Sequence, residues 1–426
     1  MATGKFYLPS QESSDNWDKP ADWPDISSVS NNEINLLVGE GGFAFNITVL
    51  SGGTFSVDYG DGIIETGKTS AVTIQHQYTT SSTGGTLTSQ GFYVYKVRIY
   101  NATYAITKFY VDRHTYTSRV QYQPYLWVVL GTTGITDCTN MFQQSTIYCT
   151  LLQSVTIPSF LNNISCANMF QNCGSLQYVS LPSSWGNVGS VSQMFRSCSA
   201  LKTVILPKSW NKVTSMVSMF ASCTSLSNII LPSTWGTGNT SCTSMFSSCA
   251  SLENIILPST WTSSMTTAGY MFQNCYSLNY ITISTGSTMI SVPHMFDNCY
   301  NLKTITNINT LGSTTTASDF GAIIVNCENV QQNIICSAKL SAIGVYGASG
   351  YTNKLTSLRL TNTGSTFGGT SPQVDVSWTS LDSTALDLLF GDLPSLSSKG
   401  INITGASGAA TCTKSIAQVK GWIVTG

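Results

Sequence analysis

From about residue 138 to 360 the apolar positions recur on a steady beat. Met169-Phe170 is followed by Cys173, Leu176, Val179 and Leu181. Met194-Phe195 is followed by Cys198, Leu201, Val204 and Leu206, and Met219-Phe220 by Cys223, Leu226, Ile229 and Leu231. The Cys returns at Cys149, Cys173, Cys198, Cys223, Cys249, Cys275 and Cys299, and in a weaker unit at Cys327. Three residues after each stands Leu152, Leu176, Leu201, Leu226, Leu252, Leu278 or Leu302, with Val330 in the weaker unit. The first pair, Met141-Phe142, carries an insertion (STIY) before its Cys, and Ile323-Ile324 replaces the pair late in the array. Leu355-Leu358-Leu360 reads as a ninth strand without it.

The last two apolar residues of each L-x-x-[VI]-x-[LI] alternate, so they point inward from one face of a short strand. One such strand has nothing to bury against. Stacked in parallel at ~4.8 Å, nine of them make a sheet of about 40 Å over a shared core. Met and Phe are expected to enter that core from the opposite wall, on a short turn or helical segment. The Cys is expected where the chain bends, as a small buried hydrophobe. Each fully buried Leu, Ile, Phe or Met contributes roughly 1.5–3 kcal/mol. A repeat of 20–29 residues with this pattern is that of a leucine-rich solenoid.

The intervening letters are what such a coil displays. Outward positions of the strands are Tyr178 and Ser180, Thr203 and Ile205, Asn228 and Ile230, Asn254 and Ile256, and Tyr280 and Thr282. Ile205, Ile230 and Ile256 are expected to form an apolar stripe facing away from the core, with Tyr178 and Tyr280 at its ends. Such a stripe is either a contact surface or is covered by the protein itself or a neighbouring subunit. Pro ends each strand, because it cannot donate to the ladder. Trp185, Trp210, Trp235 and Trp261 follow, with Phe160 in the first repeat. A stacked ladder on the return side of the coil is expected of them; a sugar-binding platform is the alternative.

The patterning differs at both ends. NITVL (46–50), TFSVDYGDG (54–62), VTIQHQY (72–78) and GFYVYKVRIY (91–100) alternate apolar and polar residues between turn signals, predicting a small antiparallel sandwich. Asp58-Tyr59-Gly60-Asp61-Gly62 predicts a strand entering a hairpin turn, with His76 and Tyr78 packed or hydrogen-bonded beside it. Asp58 and Asp61 alone are too few for a calcium site of six to eight oxygens. Residues 1–34 are rich in Pro and lack periodicity; Trp17 and Trp23 there suit a docking arm, or packing on the sandwich. LDSTALDLLFGDLP predicts a helix begun at Asp382, with Leu386, Leu389 and Phe390 on one face. The final segment from Ile401 predicts a strand, a Gly-rich turn, a short helix and a closing strand.

Composition narrows the classes. Charged residues are 9% of 426 and net charge is −1, without a basic cluster, which argues against nucleic acid as partner. MATGKFYLPS lacks the apolar stretch of an export signal, and no long apolar run predicts a membrane span. Thirteen cysteines without a CxxC, beside three histidines, do not follow metal spacing; reduced packing is expected, with bridging between neighbouring coils the alternative. G-x-S-x-G, H-E-x-x-H and phosphate-loop motifs do not occur, and His76, His114 and His294 share no motif. The expectation is a non-enzyme without cofactor or metal.

Met-Phe-x-x-Cys-x-Ser-Leu followed by Leu-Pro-Ser-x-Trp resembles the BspA-type leucine-rich repeats of bacterial surface proteins and phage virion proteins. V-D-Y-G-D-G with H-x-Y and Y-x-V-x-I resembles the polycystic-kidney-disease (PKD) type domain, an immunoglobulin-like sandwich. Pro-Ala-Asp-Trp ahead of that sandwich, with the closing G-W-x-V-x-G, is similar to virion proteins of tailed phages of Bacteroides-like hosts.

Together these give a mostly β chain: a docking arm (1–34), an immunoglobulin-like PKD-type sandwich (35–125), a leucine-rich-repeat solenoid with parallel sheet (126–360), and a terminal repeat with C-terminal cap (361–426). The resemblances imply a structural protein of a phage virion surface: a head-fibre, tail-fibre or decoration subunit. It would be assembled in the host cytoplasm, joined to other virion proteins through arm and sandwich, homo-oligomeric, and open to a host surface glycan or protein. A bacterial cell-surface adhesin and a carbohydrate-active enzyme on a solenoid scaffold are the rival readings.

Overall fold

The computed structural model describes residues 19–70, 72–79, 83–112, 125–131, 134–143, 151–158, 165–185, 188–235, 238, 241–258, 264–283, 289, 291–312, 316, 318–349, 352–368 and 371–426. Trp17, Cys149, Phe160 and Trp261 lie outside them.

The N-terminal sandwich is built from β1 (Ile34–Gly39), β2 (Gly42–Val49), β3 (Thr54–Asp58), β4 (Ile64–Thr69), β5 (Ile74–Gln77), β6 (Thr86–Leu87), β7 (Tyr93–Tyr100) and β8 (Ile106–Asp112). One sheet has the order β9-β1-β7-β3-β4, where β9 is Tyr125–Leu130, with β6 beside β7; the other is β5-β2-β8. The GDG turn forms as expected. Gly60 and Gly62 take positive φ, and a Cβ on Gly60 would meet the Lys96 carbonyl at 2.5 Å. His76 Nε2 lies 2.9 Å from Asp61 Oδ2, and the Tyr78 hydroxyl donates to Tyr59 O at 2.6 Å. Asp58 Oδ1 accepts from Gly60 N and Asp61 Oδ1 from Ile63 N, so these carboxylates hold the turn.

The solenoid grows from both sheets of this sandwich. β9 is antiparallel to β1 and parallel to β10 (Ser154–Thr156), which is parallel to β11 (Tyr178–Ser180). On the other side the free edge of β8 meets the first Met-Phe segment: Val111 N donates to Met141 O, and Thr136 N to Thr107 O, both at 3.0 Å. Phe109 packs on Phe142, and one apolar core runs from Ile34 to Trp422. The sandwich thus closes the first coil, as a solenoid end requires.

Further strands are short. β12 (Ser209–Trp210) pairs with β14 (Thr234–Trp235) at the Trp corner. β13 (Asn228–Ile230), β15 (Asn254–Ile256), β16 (Tyr280–Thr282) and β17 (Thr304–Thr306) form a parallel sheet. Thr203-Val204-Ile205 occupies the rung between β11 and β13 without a strand ladder, although Val204 and Leu206 still point inward and are buried. Later coils contribute β18 (Ser318–Val325), β19 (Asn333–Cys336), β20 (Leu340–Tyr346), β21 (Ser357–Leu360), β22 (Val374–Asp375), β23 (Lys399–Asn402) and β24 (Trp422–Thr425). Helix α1 (Ser383–Asp392) starts at Asp382, whose carboxylate accepts from Ala385 N, and buries Leu386, Leu389 and Phe390 as predicted. The Asp392 carboxylate at its end clasps the Arg359 guanidinium at 2.5 and 2.7 Å and accepts from Leu360 N. The short helix α2 (Ser415–Gln418) and β24 complete the cap; Asp387 ties α1 to it through Thr413.

The wall opposite the strands is made of turns. Each described unit holds two non-glycine residues in the left-handed region, one before Met-Phe and one before Cys, for example Gln193 and Ser197, or Ser218 and Ser222. Cys198 N to Phe195 O at 3.1 Å closes one such turn, with Ser197 at the position that requires positive φ. Coil joins coil there by backbone bonds such as Phe195 N to Met219 O and Ser197 N to Ala221 O. Seven Phe rings from Phe142 to Phe296 stack with centroids 5.3–5.7 Å apart. The Cys is more than a small hydrophobe. The thiols of Cys173, Cys198, Cys223, Cys249, Cys275, Cys299 and Cys327 each donate to the Phe carbonyl of the preceding coil at 2.8–3.1 Å. The described cysteines are free thiols. Burial pushes several thiol pKa values well up, Cys249 to about 12.

Candidate contact face

The strand wall carries the candidate site. Within β13 and β15 the central Ile229 and Ile255 point inward, while Ile230 and Ile256 point outward and pair directly in register. Ile205 occupies the same position one rung earlier. The three outward isoleucines are 47%, 46% and 53% exposed. An aliphatic side chain left half in water on three successive rungs forms a contiguous patch, unlike scattered surface apolar residues.

The tyrosines close the patch from a neighbouring row. Tyr280 registers with Asn254 and Thr304, not with Ile256, and Tyr178 registers with Ser154. Both therefore stand two residues earlier along their strands than the isoleucine row. Tyr280 is exposed and Tyr178 half-buried, and the Lys303 ammonium lies 5.7 Å from the Tyr280 ring centre. At the mouth of the strands stand Lys202 and Glu253, both exposed. Among the described residues neither side chain has an ion-pair or hydrogen-bond partner. The strand alternation singles out the isoleucines but not these two, which sit one residue beyond each core Leu, before the alternation begins.

Trp23 stands elsewhere. It is 4% exposed and packs with Ile26 on Leu37, Val94, Leu126, Trp127 and Val129, the outer face of β1, β7 and β9. Asn35 Nδ2 holds this stretch by donating to Ile26 O and Ser28 O. The Trp23 ring is thus spent on the chain's own sandwich, one of the two placements its sequence allows. On the return side, Trp185, Trp210 and Trp235 are buried in a ladder with centroids 5.6 and 5.9 Å apart, their faces turned to one another. A cleft of about 180 Å³ beside Trp185, Trp210, Asn211 and Lys212 falls below the roughly 300 Å³ at which small-molecule pockets begin.

A family model described as BspA type leucine rich repeat region (6 copies) matches residues 136–244, 192–320 and 244–371, together more than half the chain. The chain belongs to the BspA-type leucine-rich-repeat family. Among solved structures, a leucine-rich-repeat protein from Bacteroides ovatus is similar at 17% identity over 70% of this chain and 80% of that one, with a TM-score of 0.35. The leucine-rich-repeat protein of T. pallidum is similar at 20% identity over 43% and 70%, with a TM-score of 0.28. No curated protein matches. No described helix of this BspA-type chain is long and apolar enough to cross a membrane.

Proposed function

We propose that this BspA-type chain is a non-enzymatic surface protein that works by contact, through the outward sheet face around Ile230. The observation that carries the reading is the half-exposed row Ile205, Ile230 and Ile256 on a face otherwise polar, with Lys202, Glu253 and Lys303 along one border. Desolvating such a row on association is favourable by roughly 25 cal/mol per Å² of apolar area. The setting proposed is the surface of a tailed-phage virion, where the chain serves as a fibre or decoration subunit. A PKD-type sandwich and the arm through Trp17 attach it to other virion proteins, and the solenoid meets a host surface protein or glycan. The support for that setting is the residue-level resemblance of arm, GDG turn and repeat.

Two measurements test it. In a density gradient of a lysate the protein is expected to band with particles; recovery only from the envelope of uninfected cells would move it to a bacterial adhesin. Purified full-length Ile230→Glu is expected to lose binding to host cells while keeping its circular dichroism. Undiminished binding would remove the face from the reading.

A further inference from the structure

The outward face has an order of its own along the solenoid. Centred on the Ile230 rung, the rung before carries Ile205 and the rung after carries Ile256. Two rungs out on either side stand Tyr178 and Tyr280, followed in their strands by the hydroxyl residues Ser180 and Thr282. In the isoleucine row and the flanking tyrosines the face reads alike from both ends, Thr203 stands opposite Asn254, and one pair differs in sign. Lys202 enters the rung before, and Glu253 the rung after.

We propose that the partner met by this face is a second copy of the chain, related by a two-fold axis that runs along the strand direction over Ile230. This rests on the contact reading given above. Such an axis preserves strand direction and reverses the order of rungs, so each rung meets the one equally far on the other side of the centre. Ile205 meets the partner copy's Ile256, Ile230 meets its equivalent, and Tyr178 meets Tyr280. Lys202 meets Glu253, twice, by symmetry. An isologous contact demands a surface complementary to itself, and a like-for-like apolar row with one opposite-charge exchange meets that demand. A host protein or glycan would impose no such mirror order. The five rungs from Tyr178 to Tyr280 at ~4.8 Å, by five residues at ~3.3 Å, give about 400 Å² of face per copy. The pair buries about 800 Å², the size of a weak, transient interface, so a dimer of modest affinity is expected.

Sedimentation equilibrium of the full-length protein over a concentration series tests this. The wild type is expected to show a monomer–dimer equilibrium. Lys202→Glu and Glu253→Lys each place two like-charge pairs across the axis and are expected to weaken it about tenfold. The double variant Lys202→Glu/Glu253→Lys is expected to restore it, because the exchange rebuilds both pairs. Ile230→Glu sets two carboxylates against each other and is expected to leave monomers. Circular dichroism confirms that each variant is folded. A wild type still monomeric at ~100 µM overturns the dimer. So does a dimer indifferent to all four variants, or single variants not rescued by the exchange. The contact reading is judged apart. If the chain is monomeric and Ile230→Glu still loses host-cell binding, only the dimer fails. If Ile230→Glu splits the dimer and cell binding persists, only the adhesion fails.

Discussion

The two walls of the solenoid use the same repeat in opposite ways. The strand wall is held by ladders of one to three pairs between β10 and β17, and at Thr203-Val204-Ile205 the ladder lapses altogether. The turn wall carries through that point unbroken, with backbone bonds from Phe170 N to Met194 O and Phe195 N to Met219 O, parallel Phe rings, and thiols donating to the coil before. Regularity here belongs to the wall that is not β. The strands need only point Val204 or Ile229 inward, which leaves their outer positions free to vary and so to display.

The difference predicts where the chain breaks. The largest effect is alkaline. Buried thiols such as Cys249 have pKa values raised above the unfolded value near 9, so the folded state holds protons the unfolded state would release. Their contribution is fully present below about pH 9 and is lost as pH climbs through the folded values, at about 1.4 kcal/mol per pH unit for each thiol. Cooperative loss of circular dichroism together with thiolate absorption is expected between roughly pH 9 and 12; thiolate appearing while the coil stays folded would contradict the sealed turn wall. Next, Phe220→Ala removes a ring from the stack and is expected to destabilise by about 3–5 kcal/mol in urea. Ser222→Val puts a β-branched residue at φ near +62° and is expected to lose about 1–2 kcal/mol. Smallest is Thr203→Ala on the strand wall, expected within ~0.5 kcal/mol. If it rivalled Ser222→Val, the ranking of the walls would reverse.

Much of this was legible in the letters. The repeat period, the inward Leu176, Leu201 and Leu226, the outward isoleucines and the Asp382 helix start all follow from local spacing, because side-chain direction repeats every two residues in a strand and about every 3.6 in a helix. Other parts were not. INLLVG and YLWVVL, now β1 and β9, show no alternation because both their faces are buried, one by the core and the other by Trp23 and Ile26. The strand ITKFYVD, β8, likewise escapes the sequence reading, though its edge receives the first coil. The thiol as donor was also invisible, since its acceptor lies 27–31 residues away.

Sequence alone determined that like coils stack and which residues of each coil face in, because those choices are made within one repeat. Tertiary structure alone decided that the sandwich is the solenoid's first cap, that the arm's Trp23 is covered, and that the ladder pauses at Ile205. Those depend on edges and faces brought together from distant parts of the chain, and no local period encodes which edge meets which.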